Sequence, residues 1–445
     1  MMDQQNVIAA ENPQQNVEQD QNQLAVDNPI PPNVESPPSV FKLDADCWDE
    51  VFDLLSTEEV HSFGQTCKTF QCVTGKYFQW KYPAFSIWCY IDGSVADNIP
   101  DFIQFAQTIE LDSYDVLDEH FVSDCKALKH ARLVNSSLTQ QSIELLKPVL
   151  PNLATFDIND CVVDGDIYAN VLKHCVQLKS LKIHDDFHEE CLSQKYPVLE
   201  QIHITTNKPF ANDELNGFFK SNPTVRHLIT DADSIWVNRR SMLESNAKLD
   251  DLTIENITDM NEGFYATLND LHQRRFYKRL HVNAYQSLSE DQIAALSGLV
   301  TLYVGDDVKL PPLTTLKELG LNVNLSKLCS EGFNVHEIPS LCINLERLVI
   351  NKTSVRDIWP FIRYSRNLTE IDVIHFEENS LDISALNNVR KKLEGARKVI
   401  IYVKEEVYLT TRWESKGLNF NLIEIQRHDS HTSKQAHGLR YKLNY

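Results

Sequence analysis

One apolar phrase recurs through most of this chain and constrains its fold more than any other feature. In a six-residue segment, the first, fourth and usually the sixth positions are apolar, and the segment returns about every 24 residues. Apolar and polar positions alternate at its end, which predicts a β-strand with its apolar side chains on one face. The twelve segments begin at Leu128, Leu153, Leu178, Leu199, Val225, Leu249, Tyr277, Leu299, Leu316, Leu345, Leu368 and Ala396.

Helical stretches separate most of these strands, for example 142–146 and 167–174. Parallel strands joined by helices require right-handed crossovers, and stacked units of this kind form a solenoid. The period is typical of leucine-rich repeats. The alternative is a doubly wound α/β enzyme, which would carry a glycine-rich ligand loop, yet no such motif occurs among the 13 glycines. The sequence predicts an α/β fold: an N-terminal helical module followed by a leucine-rich-repeat solenoid, with a curved parallel sheet inside and helices outside.

Composition changes along the chain divide it into four parts. Residues 1–40 contain six acidic residues and no Lys or Arg, and are rich in Gln, Asn and Pro, which predicts a disordered tail. We expect a helical module at 41–82, a solenoid of about twelve repeats at 83–425, and a C-terminal extension or cap at 426–445. The apolar run 85–91 reads as the first buried strand rather than as a membrane span.

The helical module carries apolar residues at helical spacing. Cys47, Trp48, Val51, Phe52 and Leu55 predict one stripe of a first helix. Val60, Phe63, Cys67 and Phe70 predict one side of a second helix. A module of about forty residues cannot bury all of this surface by itself. Its apolar side therefore packs on the following repeats as a cap, or binds a partner.

The order of these residues resembles the F-box motif, whose members start with Leu-Pro, carry an Ile-Phe pair and end near Val-Cys-Lys-x-Trp. Asp44 stands where that family usually has Pro, and Phe70 replaces the usual Trp. The resemblance implies that the module docks on the Skp adaptor of a cullin-based ubiquitin ligase. It assigns adaptor binding to Leu43, Trp48, Val51, Phe52, Leu55, Val60, Cys67 and Phe70.

The polar positions between the repeated apolar residues predict a binding surface on the concave side of the solenoid. Aromatic and Arg side chains are favoured anchors in protein interfaces. In the middle of the chain such residues fall on successive predicted strands. We take as tentative substrate-binding residues His203, His227, Arg279, His281 and Tyr303.

Signals for chemistry are weak. The sequence has no G-x-S-x-G or H-E-x-x-H motif. The best metal candidate is His184 and His188 with Cys191 nearby, and a polar repeat loop explains it more simply. We therefore expect no catalytic residues, no metal and no cofactor. The net charge of −21 argues against nucleic-acid partners.

An F-box joined to leucine-rich repeats resembles the substrate receptors of Skp-cullin-F-box ubiquitin ligases. That resemblance implies a non-enzymatic protein in the cytoplasm or nucleus, with the Skp adaptor, the cullin scaffold and a protein substrate as partners. The alternative is a leucine-rich-repeat scaffold or inhibitor outside any ligase, whose helices only cap the first repeat. Scattered cysteines without a C-x-x-C pair suit a reducing compartment.

Overall fold

The computed structural model describes residues 43, 45–52, 54–55, 57–81, 84–88, 107–112, 125, 127–183, 191–205, 210, 214–257, 260–284, 288–305, 309–330, 333–416 and 420–428. The chain divides into two compact units, Met1–Leu54 and Leu55–Tyr445. This division falls inside the predicted module 41–82, whose boundary with the solenoid stays a prediction. The predicted tail 1–40 and most of the predicted extension 426–445 lie outside the described residues.

Fifteen parallel strands form one sheet in the second unit. Each strand pairs with the next in sequence order, except that β4 and β6 pair only with each other. The strands are β1 Ala84–Trp88, β2 Thr108–Asp112, β3 His130–Val134, β4 Ser137–Leu138, β5 Thr155–Asn159, β6 Val162–Val163, β7 Ser180–Ile183, β8 Gln201–Ile204, β9 His227–Asp231, β10 Leu249–Glu255, β11 Tyr277–Asn283, β12 Leu299–Val304, β13 Glu318–Asn324, β14 Arg347–Thr353, β15 Glu370–Phe376, β16 Val399–Val403 and β17 Ile423–Arg427.

Helices precede the first strand and connect most of the later ones. Several begin at a side chain that accepts a hydrogen bond from the first turn, as Asp231 does from the Ser234 amide at 2.6 Å. The α-helices are Ala45–Phe52, Thr57–Gly64, Lys68–Lys81, Gln140–Leu146, Ile167–Asn170, Glu214–Ser221, Ala232–Glu244, Glu262–Gln273, Glu290–Ala294, Leu325–Ser330, Ile338–Leu341, Val355–Tyr364, Ile383–Arg390 and Glu405–Glu414, with 3₁₀ turns at Leu150–Asn152 and Leu172–His174.

The repeated apolar positions form one continuous core that extends from Ile109 to Ile425. Leu252 and Leu348, at the centres of their segments, are fully buried. The twelve predicted segments correspond to β3, β5 and β7–β16, so the leucine-rich-repeat solenoid is confirmed. The sequence analysis did not identify β2 or β17.

The predicted register is wrong at two places. Ile371 of β15 pairs with Ile401 and not with Val399, so the last phrase belongs two residues later than predicted. A β-bulge in the pairing of β11 with β12 sets His281 opposite Thr301 rather than opposite Tyr303. Both errors occur in runs of apolar residues, where the phrase fits equally well when it is shifted along the strand by two residues.

Buried polar side chains connect successive repeats. Arg390 is fully buried and donates to five backbone carbonyl oxygens, among them those of Ser365 at 2.7 Å and Leu368 at 3.0 Å. Burial lowers the pKa of Arg390 to about 10, so it remains charged at neutral pH. Asn222 similarly accepts from the Tyr196 amide at 2.6 Å. These bonds satisfy carbonyl and amide groups that helices and turns leave unpaired.

The second predicted helix is two helices, because a turn at residues 65–67 separates Thr57–Gly64 from Lys68–Lys81. The aromatic rings of Phe63 and Phe70 meet across this turn, with centroids 4.1 Å apart. Gly64 is buried, and a β-carbon there would lie 2.3 Å from the Thr74 hydroxyl. Glycine therefore permits the close approach of the two helices, while it also weakens the first one at its end.

Candidate protein-binding surfaces

The helix Ala45–Phe52 has two different apolar stripes rather than the single stripe predicted. Trp48 and Phe52, one turn apart, are buried and stack with ring centroids 5.5 Å apart. Cys47 and Val51 lie about 100° around the helix from them and are exposed. The apolar face is thus split, and the half that carries Val51 is accessible to a partner.

The eight predicted adaptor-binding residues have different degrees of exposure. Leu43, Val51, Leu55 and Cys67 are exposed, Phe70 is half-buried, and Trp48, Phe52 and Val60 are buried. Their role in adaptor binding stays a prediction.

The sequence analysis missed Leu54, which is 86% exposed. Its amide donates to the Val51 carbonyl oxygen at 3.2 Å, in the turn that ends the helix. Leu54 gave no periodic signal, because the helix ends at Phe52 and the helical spacing of apolar residues does not extend to Leu54.

The sheet has an open face, which we define as the alternate strand side chains that do not join the core. In its middle, His281 bridges neighbouring strands through Nε2 to Asp251 Oδ1 and Nδ1 to Thr301 Oγ1, both at 2.9 Å. Arg279 donates to Asp251 Oδ2 at 2.7 Å. The rings of His227 and His281 lie 6.3 Å apart. We call these residues, together with Thr253, the middle group.

Burial and ion pairing change the protonation of this region. Burial lowers the pKa of His203 and of His227 below the ordinary value of 6.5. Near His203, Glu255 lies at 3.3 Å and opposes part of that effect. Burial raises the pKa of Asp251, but hydrogen bonds from Arg279 and His281 outweigh it, and the net shift is downward. Asp251 is therefore an anion that neutralises the basic side chains around it.

Tyr303 does not belong to the middle group, although the sequence analysis placed it there. Its hydroxyl contacts Glu318 Oε1 at 2.5 Å, and its ring lies over Gly320. A β-carbon at Gly320 would come within 2.0 Å of that ring. The β11–β12 bulge moves Tyr303 away from His281, and burial raises its pKa.

The C-terminal part of the open face, on β13–β15, carries an ion-pair cluster. Arg347 lies 3.5–3.6 Å from three carboxylates, those of Glu318, Glu370 and Asp372. On the same strand as Arg347, Val349 is 1% exposed although it occupies an open-face position. Opposite charges at the same position of successive segments were a usable sequence signal for these pairs.

No family model matches the chain. No curated protein sequence matches it either. Similar solved structures include an internalin from Listeria monocytogenes, with TM-score 0.29 and 14% identity over 77% of this chain and 93% of that one. The TLR13–ssRNA13 complex gives a TM-score of 0.28 and 11% identity over 76% of this chain and 65% of that one. The Toll–Spätzle complex from Drosophila gives a TM-score of 0.25 and 11% identity over 70% of this chain and 55% of that one. The chain thus spans less than two thirds of the latter two. Likenesses of this size do not bear on function, and the fold follows from the sheet itself.

Among the residues that the structure describes, no helix is long and apolar enough to cross a membrane. The same residues contain no group of three or more potential metal ligands. The metal candidate at His184 and His188 lies outside the described residues.

Proposed function

We propose that this protein is the substrate receptor of a Skp-cullin-F-box ubiquitin ligase, with its helical module on the Skp adaptor and its solenoid on a protein substrate. The observation that carries the proposal is the exposed apolar set Leu43, Val51 and Leu54, which stands where the sequence resembles an F-box. Exposed apolar residues that lie close together in sequence offer a surface for a protein partner.

The role assigned to the chain is positioning. Bringing two partners together raises the effective concentration of one near the other, and this accelerates a reaction without any new catalytic group. The middle group supports the substrate-binding half of the proposal. Arg279 is more than half exposed there, and a guanidinium can stack and form hydrogen bonds at an interface.

The second candidate is a leucine-rich-repeat scaffold or inhibitor that does not associate with a ligase. Burial of Trp48 and Phe52 favours it, because an F-box docked on an adaptor would be expected to offer more of its aromatic surface. Asp44 also removes the proline usual at the start of the motif.

Adaptor binding separates the two candidates. Val51→Asp/Leu54→Asp places charges at two exposed positions, one on the helix and one just after it, without entering the core, so the fold should survive. We expect capture of a Skp adaptor to fall at least about tenfold, since buried interface anchors are each worth about 1–2 kcal/mol or more.

The matched control is Leu409→Asp/Trp413→Asp. These two exposed apolar residues lie one helical turn apart on Glu405–Glu414, in the last described repeat. Circular dichroism should be native for both variants. If the wild type does not bind the adaptor, or if Val51→Asp/Leu54→Asp binds it as well as the control does, the ligase proposal is rejected in favour of the scaffold.

A further inference from the structure

A cavity of about 500 Å³ lies at the edge of the sheet where β9 and β10 begin, away from the open face. Its lining includes Lys220, from the last turn of the helix Glu214–Ser221, together with Arg226 and Lys248, which immediately precede the two strands. No acidic residue lines it among the described residues. Three cations around one space are unusual in a chain that carries a net charge of −21.

Arg226 departs from a pairing pattern along this edge. Lys179 pairs with Glu200 at 3.5 Å, and Lys278 pairs with Asp250 at 2.6 Å. Backbone hydrogen bonds place Arg226 between those two acids, since its amide donates to the Glu200 carbonyl and its carbonyl accepts from the Asp250 amide, both at 2.8 Å. Both carboxylates already have a lysine partner. The charge of Arg226 contributes to lowering the pKa of Asp250, after the Lys278 hydrogen bond, but among the described residues Arg226 forms no ion pair at contact distance.

The three cations border one cavity whose described lining holds no acidic residue. Lys248 Nζ donates to the Arg274 carbonyl oxygen at 2.8 Å, which holds the ammonium in place and leaves its other two protons available. Like charges that share a cavity repel one another, so a bound anion would remove that cost. The remaining lining is largely apolar and includes Phe219, Val225 and Leu249.

We propose that this edge cavity binds a phosphate monoester carried on an apolar group. A phosphate monoester carries up to two negative charges, which match three cations better than the single charge of a carboxylate does. A guanidinium can also hold two phosphate oxygens in a bidentate pair. The volume lies within the range of about 300–1,000 Å³ that is typical of small-ligand sites. The apolar walls provide a surface for the carrier group. The inference is independent of the ligase proposal and concerns a different part of the solenoid.

The test is calorimetric titration of the full chain with phenyl phosphate at low ionic strength. A ligand of this size that uses the three cations should bind with a dissociation constant of about 1 mM or lower. Arg226→Gln and Lys248→Gln should each weaken binding at least about fivefold, which is a loss near 1 kcal/mol. Lys317→Gln is the matched control, because Lys317 also precedes a strand but is paired with Glu346 at 3.1 Å and lies outside the cavity.

Three further arms define the ligand. Inorganic phosphate should bind more weakly than phenyl phosphate, because it lacks the apolar group. Phenol should not bind, because it lacks the charge. Tighter binding of a short phosphotyrosine peptide would assign the phosphate to a protein segment, and weaker binding would assign it to a free small molecule. Either result retains the site.

Two results overturn the proposal: no saturable binding of phenyl phosphate up to about 10 mM, or equal affinity in wild type, Arg226→Gln and Lys248→Gln. The two variants remove different cations. If one of them fails to fold by circular dichroism, the other still decides the question.

Discussion

The middle of the open face and its C-terminal part on β13–β15 both pair charged side chains across neighbouring strands, but they differ at one equivalent repeat position. Thr253 lies between two buried residues of β10 and is half-buried, with its hydroxyl 2.8 Å from His227. Val349 occupies the equivalent place in β14 and is almost fully buried. The two regions have the same parallel-strand arrangement and differ in the side chains that the neighbouring strands contribute.

The cause of the difference lies on β12 and β13. Gly320 has no side chain, so the Tyr303 ring lies down over it and its hydroxyl reaches Glu318. Val349 lies opposite Gly320 and is almost fully buried, and on the same strand Arg347 pairs with three carboxylates. In the middle group, the Arg279 guanidinium is more than half exposed and keeps accessible donors. We therefore propose partner binding for the middle group and a role in stability for the C-terminal part.

The largest expected loss of stability comes from core leucines, which both regions contain. Leu252→Ala and Leu348→Ala should each lower the free energy of unfolding by about 2–5 kcal/mol, through lost burial and the cavity left behind. Both leucines are fully buried. Urea denaturation measures the loss. A markedly smaller effect at one position would mean that the core is loosely packed there.

The next prediction separates the regions. Val349→Ala should cost about 1.5–3 kcal/mol through the lost methyl groups and the cavity left behind, whereas Thr253→Ala should cost about 1 kcal/mol or less, the net value of its hydrogen bond to His227. The two positions are equivalent in the repeat, so a pattern-based account expects equal effects. Similar losses in chemical denaturation would contradict the distinction between an open middle and a closed C-terminal part.

Gly320→Ala tests the cause of the closure. The added methyl group would collide with the Tyr303 ring, and displacing that ring should cost about 1–3 kcal/mol. In Gly320→Ala/Tyr303→Ala the collision is absent, so the two changes should be less costly together than their sum. Additive losses would show that Tyr303 does not rest on Gly320 in solution.

The smallest effect concerns pH in the middle region. The pKa values of His203 and His227 lie below 6.5 in the folded protein, so the unfolded chain takes up protons first as the pH falls. The stability that these groups contribute is present above about pH 6.5 and is lost as the pH drops from there through the folded pKa values. His203→Gln/His227→Gln should therefore lose less stability than wild type between pH 7.5 and 5.5. An equal loss would mean that neither histidine is held neutral.

The sequence predicted the repeat and its core well because burial of one strand face repeats with a fixed spacing. It predicted the arrangement of the open-face side chains less well. Tyr303 could not be excluded from the middle group because a one-residue bulge leaves no mark in an alternating apolar segment. Val349 lies opposite Gly320 of β13, and the Tyr303 ring of β12 covers that glycine. Contacts of that kind are absent from any single repeat.

The same limit applies to the helical module. Periodicity placed Trp48 and Val51 on one stripe, whereas Trp48 is buried and Val51 is exposed. Leu54 lies beyond the helix and has no periodic partner. The sequence pattern thus located the apolar helix but not which of its residues are exposed.

The measurement that tests the central claim most directly is quantitative affinity purification of three forms of the chain under proteasome inhibition. The forms are wild type, Arg279→Glu and Val51→Asp/Leu54→Asp. The account predicts that Arg279→Glu retains the Skp adaptor and loses a set of other proteins. It predicts that Val51→Asp/Leu54→Asp retains that set, now without ubiquitin, and loses the adaptor. Identical captured proteins in all three forms would contradict the claim that this chain links an adaptor to a substrate through two separate surfaces.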